Sequence, residues 1–298
     1  MAKMKLNSCA GVKEGVRWGY ALGWYWEFLQ LDQDEHLAKL KFLSKYNFKC
    51  THIGLNEVDK FSDSKKDAIF SYLAENDLDL MPSVGFNYIK STGDEAKAQT
   101  ESQLKLLEKY APLLRNRICH TGLSASNRFE VGMPVEQALD IISEKMGYLA
   151  EGCAHVGTPL CAENHGDYYV SDIVKLCQIT PHFYLFLDTG NTYLLGEKPI
   201  DAFYAAAPYT VGTHFKDQRV KPVPNPGPGR SLYFEVGNSD LGGGDALLRE
   251  CWGILRKYAP FPNHLSMFFE MFPPPGMDPM TCLNNSINFV KSLEGSNL

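Results

Sequence analysis

The sequence is poor in the features that mark several common protein classes, and each shortage excludes something. Its eight cysteines (Cys9, Cys50, Cys119, Cys153, Cys161, Cys177, Cys251 and Cys282) are scattered and form no C-x-x-C pair. A disulfide scaffold is short and cysteine-dense, and a structural zinc site uses paired thiolates, so neither fits a chain of 298 residues. Most of these cysteines stand in apolar surroundings and read as reduced, buried thiols of a cytoplasmic protein. Positive charge is not in excess: 29 Lys and Arg against 35 Asp and Glu leave a net −6. That sign does not suit a phosphate backbone. No apolar run reaches the ~18 residues of a membrane span. The opening MAKMKLNSC has no apolar core of a signal peptide. The expected partner is therefore a small molecule rather than nucleic acid or membrane.

What is present is a rhythm. With 44% hydrophobic and 21% charged residues the composition is that of a globular protein. Short apolar runs end in polar residues: Cys50–Leu55, Leu78–Val84, Arg117–Leu123, Pro159–His165, Phe183–Thr189, Val211–Lys216 and Leu265–Met271. An eighth lies near the N-terminus, either Lys5–Ala10 or Arg17–Leu22. Runs this short, without strict alternation, read as strands buried on both faces. Between them lie helical patterns at Glu35–Tyr46, Ser64–Ala74, Asp94–Tyr110, Val135–His155, Val170–Cys177, Pro199–Ala206, Asp245–Tyr258 and Asp278–Leu293. Several open on Asp or Ser, the residues that cap helices. Eight strand–helix units in this length predict an α/β fold, a single (β/α)8 TIM barrel over residues 1–298. The rival, a doubly wound open sheet, lacks its G-x-G-x-x-G after the first strand pattern. The Pro/Gly-rich stretch Lys221–Arg230 falls between the last two strand patterns, which favours a long βα loop over a linker.

In such a barrel the reactive groups stand at the carboxyl ends of the strands. Four successive strand patterns end in Glu163-Asn164-His165, Asp188-Thr189-Gly190-Asn191, His214-Phe215-Lys216-Asp217 and Glu270. The first two separations, 25 and 26 residues, each equal one βα unit. Glu163, Asp188, His214 and Glu270 thus point to one centre, a hard, oxygen-rich set with a single nitrogen. Burying three carboxylates together is prohibitive without a cation or protons. The donor set favours Mn2+, with Mg2+, Co2+ or Zn2+ as alternatives.

These stretches, CAENHGD (161–167), FLDTGN (186–191), THFKD (213–217), VGNSDLGGGD (236–245) and FFEM (268–271), resemble the xylose isomerase-like TIM-barrel superfamily of sugar epimerases, isomerases and inosose dehydratases. The resemblance implies one divalent metal on Glu163, Asp188, His214 and Glu270, with Glu163 and Glu270 also serving as the acid/base pair. It implies that Arg219, shortly after the histidine, holds substrate oxygens. Ketose 3-epimerases of the family carry His three residues after the Asp; Asn191 stands there instead, able to hydrogen-bond a hydroxyl but not to titrate near neutrality. His120 and His165 are further candidates for substrate contact, and His52 a weaker one.

The implied activity is a divalent-metal-dependent epimerase or isomerase of a ketose or keto-sugar. It removes the proton next to a carbonyl and passes through an enediolate that the metal stabilises. A lyase on the same scaffold, an inosose dehydratase or an enzyme cleaving 3-keto-glycosides, is the alternative. An apurinic-site endonuclease fits poorly, because the chain is acidic and Asn191 replaces an expected ligand. Aromatic residues are at hand: Trp18, Tyr20, Trp24, Tyr25 and Trp26 near the first strand, Phe86, Tyr88 and Phe272 after strand ends, and Tyr168 and Tyr169 after Glu163. Most should serve core or interface, with one or two stacking on a sugar face. VGNSDLGGGD reads either as a backbone cradle for an anion or as a plain turn; it lacks the Lys-Ser/Thr of a P-loop.

The aromatic-rich N-terminal segment and the long loop could cover an exposed apolar patch, and the resemblance implies association, since barrels of that family commonly associate, so a homodimer or homotetramer is expected. Light scattering at micromolar concentration should give two or four chain masses. A single chain mass would overturn this expectation.

Overall fold

The computed structural model describes residues 15–21, 36–115, 118–123, 132–223, 227, 229 and 233–298. Eight parallel strands close into a barrel: β1 (Arg17–Tyr20), β2 (Cys50–Gly54), β3 (Asp79–Ser83), β4 (Cys119–His120), β5 (Leu160–Glu163), β6 (Phe183–Asp188), β7 (Thr210–Phe215) and β10 (Ser266–Phe269). Their order around the barrel follows the chain, and β10 closes the ring against β1 from Arg17↔Ser266 to Tyr20↔Phe269. The remaining two strands, β8 (Asp217–Pro222) and β9 (Phe234–Ser239), form an antiparallel ribbon between β7 and β10. The helices are α1 (His36–Lys45), α2 (Leu55–Val58), α3 (Asp63–Glu75), α4 (Gly93–Tyr110), α5 (Val135–Val156), α6 (Val170–Ile179), α7 (Thr189–Leu194), α8 (Pro199–Ala206), α9 (Leu248–Tyr258) and α10 (Pro279–Lys291). Among the described residues no helix is long and apolar enough to cross a membrane.

The strand–helix rhythm of the sequence therefore becomes the expected (β/α)8 barrel, with local corrections. Of the two candidates for the first strand, Arg17–Tyr20 is the one in the barrel; Lys5–Ala10 lies outside the described residues, as do Trp24, Tyr25, Trp26 and Cys9. The strand expected over Arg117–Leu123 shrinks to Cys119–His120, which meets β3 only through Ser83↔His120. Lys221–Arg230 is not a simple long loop, because Lys221 and Pro222 already pair with Glu235 and Phe234 in the ribbon. The helix expected from Asp245 starts at Leu248. Helix starts elsewhere follow their caps: Ser62 accepts from the Lys65 amide, Thr92 and Glu95 form a reciprocal capping box, and Asp278 accepts from Thr281.

Side chains alternate along each strand, so the residues that face the barrel axis recur every second position. Cys50, Met81, Ile118, Cys161, Phe186 and Phe268 belong to a compact apolar cluster inside, separate from the larger core between barrel and helices. Glu163, Asp188 and Glu270 each follow one of these plugs by two residues, as His52 follows Cys50. On β7 the corresponding residue is Gly212. A Cβ there would lie 2.5 Å from Phe186 Cε2 and 2.7 Å from the Ser266 carbonyl, so glycine is what lets the Phe186 ring fill the axis. The polar layer thus stands on an aromatic floor, with Phe186 and Phe268 ring centroids 5.8 Å apart.

The glycine-rich segment does cradle an anion, but one belonging to this chain. The Asp217 carboxylate, 2% exposed, accepts from the backbone amides of Gly242, Gly244, Ala246 and Gln218 at 2.9–3.1 Å. A Cβ on Gly244 would fall 2.2 Å from Asp217 Oδ1. The phosphate reading of VGNSDLGGGD is accordingly replaced by an internal clamp that pins the root of the ribbon to the barrel end. Removing the carboxylate leaves the buried amides of Gln218 and Ala246 without a partner, each worth ~1–3 kcal/mol, and the partly buried amides of Gly242 and Gly244 as well. Asp217→Ala should lower unfolding stability by ~3 kcal/mol or more, and Asp217→Asn, which keeps one acceptor, by less. Urea midpoints report this, and an unchanged midpoint for Asp217→Ala would refute the clamp.

Candidate metal centre

The polar layer above the floor gathers Glu163 from the end of β5, Asp188 from the end of β6, His214 on β7 and Glu270 directly after β10. One donor atom from each lies within 4.8 Å of every other. His214 Nδ1 is 3.1 Å from Glu163 Oε2 and 3.0 Å from Glu270 Oε2. Asp188 is fully buried and His214 nearly so.

Neighbouring residues fix this convergence, and most act through the backbone. The Asn164 side chain donates to the Asp188 carbonyl at 3.0 Å and accepts from the Asp188 amide at 2.7 Å, holding the two strand ends together. Asp188 Oδ1 accepts from the Asn191 amide at 2.8 Å and so caps α7, which leaves Oδ2 to face the centre. Thr189 Oγ1 donates to the Lys216 carbonyl and accepts from the Lys216 amide, at 2.7 and 2.9 Å.

The Asn191 Nδ2 donates to Glu163 Oε1 at 3.0 Å and to the Asn164 carbonyl at 3.2 Å. Both partners are acceptors and Nδ2 has two hydrogens, so the amide nitrogen is committed and only Oδ1 is left for other contacts. His120, on β4, lies in the layer: its ring is 6.3 Å from His214 and 5.6 Å from Phe186. His52 on β2 is 5.8 Å from His214 across the barrel. His165 is exposed in the loop after β5, and Arg219 is exposed on β8. Of the candidate aromatics, Trp18, Tyr20, Tyr88 and Tyr168 are buried in the core.

Sequence reasoning passed over Lys216. Its Nζ lies 3.6 Å from Asp188 Oδ2 and 3.5 Å from Glu270 Oε1. The signal was there: two residues beyond His214, it falls on the same side of β7 by strand alternation.

The electrostatics follow from burial and mutual contact. Burial pushes the Glu163 carboxyl up, but the His214 ring beside it outweighs this and the pKa falls to about 2. Burial raises Asp188 well above the carboxylate range, with Lys216 opposing. His214 goes the other way: burial would lower it, and the flanking Glu270 and Glu163 raise it well above the ordinary value. His52 and His120 are held neutral, chiefly by burial and also by His214, with pKa values of about 3 and 4.

These residues fit a divalent cation. Asp188 Oδ2 and His214 Nε2 are buried and make no hydrogen bond within the protein, and two carboxylate oxygens crowd His214 Nδ1. Native interiors rarely leave such groups unsatisfied. Three carboxylates and one imidazole around a single point are a hard donor set of the kind Mn2+ and Mg2+ prefer. Glu163, Asp188, His214 and Glu270 would hold the ion.

The profile of the family described as Xylose isomerase-like TIM barrel matches residues 40–275. Several solved structures share the fold. D-psicose 3-epimerase from Clostridium cellulolyticum H10, solved with D-tagatose, is 15% identical with a TM-score of 0.67, covering 93% of this chain and 99% of its own. A probable 3-DHS dehydratase from Bacillus anthracis is 13% identical with a TM-score of 0.66, covering 93% and 99%. A xylose isomerase-like TIM-barrel protein from Mycobacterium smegmatis in complex with magnesium is 17% identical with a TM-score of 0.60, covering 88% and 90%. No curated protein matches the sequence significantly.

Elemental analysis of the purified chain should find one divalent ion per chain, and Asp188→Ala should lose it. Unchanged metal content in that variant would remove the assignment.

Proposed function

The chain belongs to the xylose isomerase-like TIM-barrel family, and on that premise we propose that it is a divalent-metal-dependent epimerase or isomerase of a ketose or keto-sugar, with Mn2+ as its ion. The observation that carries this reading is the placement of two glutamates, Glu163 and Glu270, within 3.1 Å of the same imidazole nitrogen from two different strands. Two carboxylates that approach one centre from different strands can take a proton from one side of a bound carbon chain and return one from the other, which supports this reading.

When bound, the ion supplies Lewis acidity to a carbonyl and its neighbouring hydroxyl, which lowers the pKa of the C–H between them. The proton chemistry belongs to the glutamates. One carboxylate takes the proton from carbon, and the other, protonated, gives one back. Delivery to the opposite face of the same carbon is epimerisation; delivery to the neighbouring carbon is isomerisation. Asn191 holds Glu163 Oε1 in place, so that carboxylate turns its other oxygen to the centre. His52 and His120, as neutral imidazoles, each keep a buried Nε2 with no partner within the protein, able to donate to or accept from a hydroxyl on the β2–β4 side according to tautomer. Arg219, exposed on β8, and His165, exposed in the loop after β5, are the proposed contacts for substrate oxygens.

The test is incubation with ketoses, inososes and 3-keto-glucosides in D2O with Mn2+, followed by NMR. Deuterium at one carbon of an epimeric or isomeric product is expected. A product lacking a hydroxyl or a glycosidic group would establish the lyase instead, and no exchange with any of them would refute the proposal.

With a substrate in hand, Glu163→Gln and Glu270→Gln should each cut kcat by ~100-fold or more at saturating Mn2+ while the fold is kept. The double variant should lose little more, because both residues serve one proton-transfer sequence. Near-wild-type turnover of Glu270→Gln would leave it a ligand without an acid/base role.

A further inference from the structure

Resting on the reading of Glu163, Asp188, His214 and Glu270 as a metal centre, we propose that Lys216 is a built-in rival of the metal ion for Asp188 and Glu270 and thereby sets how tightly the centre holds it. The side chain is led there by its surroundings. The main chain of Lys216 is fastened to the end of β6 by Thr189, whose hydroxyl makes hydrogen bonds with both the Lys216 amide and its carbonyl. The aliphatic stem then crosses Gly190, where a Cβ would sit 2.7 Å from Lys216 Cγ and 2.9 Å from Cδ. Any larger residue at 190 would collide with that path. The stem ends with Nζ between Asp188 Oδ2 and Glu270 Oε1, at 3.6 and 3.5 Å.

The oxygen it approaches on Asp188 is the buried one that makes no hydrogen bond within the protein, the same atom that faces the metal position. Both of its distances exceed the ~2.7–2.9 Å of a charge-assisted hydrogen bond. Lys216 is thus held by charge and by one long hydrogen bond to Glu270 Oε1, on a flexible stem that can yield. Three carboxylates carry −3, and a divalent ion together with one ammonium carries +3, so the loaded centre is neutral only with Lys216 included. A divalent ion on Asp188 and Glu270 must compete for these oxygens with the ammonium beside them, in partly buried surroundings where charge interactions are weakly screened. A lysine that merely braced the ligands would strengthen metal binding; a rival weakens it.

The two roles predict opposite signs. Mn2+ would be titrated calorimetrically into chelator-treated full-length protein, comparing the wild type with Lys216→Met and Lys216→Arg, with melting temperature recorded in each state. Lys216→Met should bind Mn2+ at least tenfold more tightly than the wild type. Its melting temperature should also rise more on adding Mn2+. Lys216→Arg, which retains the charge, should stay within about threefold of the wild type. If Lys216→Met does not fold without metal, Gly190→Ala takes its place, since it displaces the stem without removing any ligand or charge, and tighter binding is again expected. Equal or weaker affinity in Lys216→Met, or in Gly190→Ala where that variant stands in, overturns the proposal while the metal centre stands. Absence of Mn2+ binding in the folded wild type and in every variant overturns the metal centre itself and the proposal with it.

Discussion

The open end of this barrel is organised around the mutual repulsion of three acidic side chains, Asp188 fully buried and Glu163 and Glu270 partly so. Glu163, Asp188 and Glu270 bring their oxygens to one point beside His214, where water can screen them little. The protein meets that cost in two ways. It places cationic partners among them, the His214 ring between two glutamates and the Lys216 ammonium between Asp188 and Glu270. It also fixes the strand ends so that the carboxylates cannot relax apart, through Asn164 on the Asp188 backbone and Thr189 on the Lys216 backbone.

The tetrapeptide Asp188-Thr189-Gly190-Asn191 shows how much of this is done within one turn. Asp188 offers one oxygen to the centre and caps α7 with the other. Thr189 fastens the end of β6 to the residues after His214. Gly190 clears the path of the Lys216 stem, and Asn191 turns Glu163. A substitution at any of the four would disturb a different partner of the same centre. Below them, the Phe186 and Phe268 rings pack together on the axis, so the polar layer stands on an apolar floor.

The segment after His214 carries a second lesson about buried charge. Asp217 satisfies its carboxylate with four backbone amides, three of them from the glycine-rich turn more than twenty residues on. Glycine is needed because the amides must close around the carboxylate without a Cβ in the way, as at Gly244. Composition alone marks such a turn as able to hold an anion; it does not say whose.

The sequence by itself determined the alternation of strands and helices, and with it the barrel and the end from which Glu163, Asp188, His214 and Glu270 project. Those are local properties: apolar period, capping residues, and the polar residue that ends each run. It did not reveal that Asn191 turns to Glu163 rather than outward, that Lys216 reaches two ligands, that His52 and His120 share a layer with His214, or that Lys221–Arg230 begins in a paired ribbon. Each of these depends on which strands end at the same height around a closed ring and on how much room a neighbour such as Gly190 leaves. Such contacts join residues far apart in the chain at distances that no periodicity encodes, so only the closed barrel decides them.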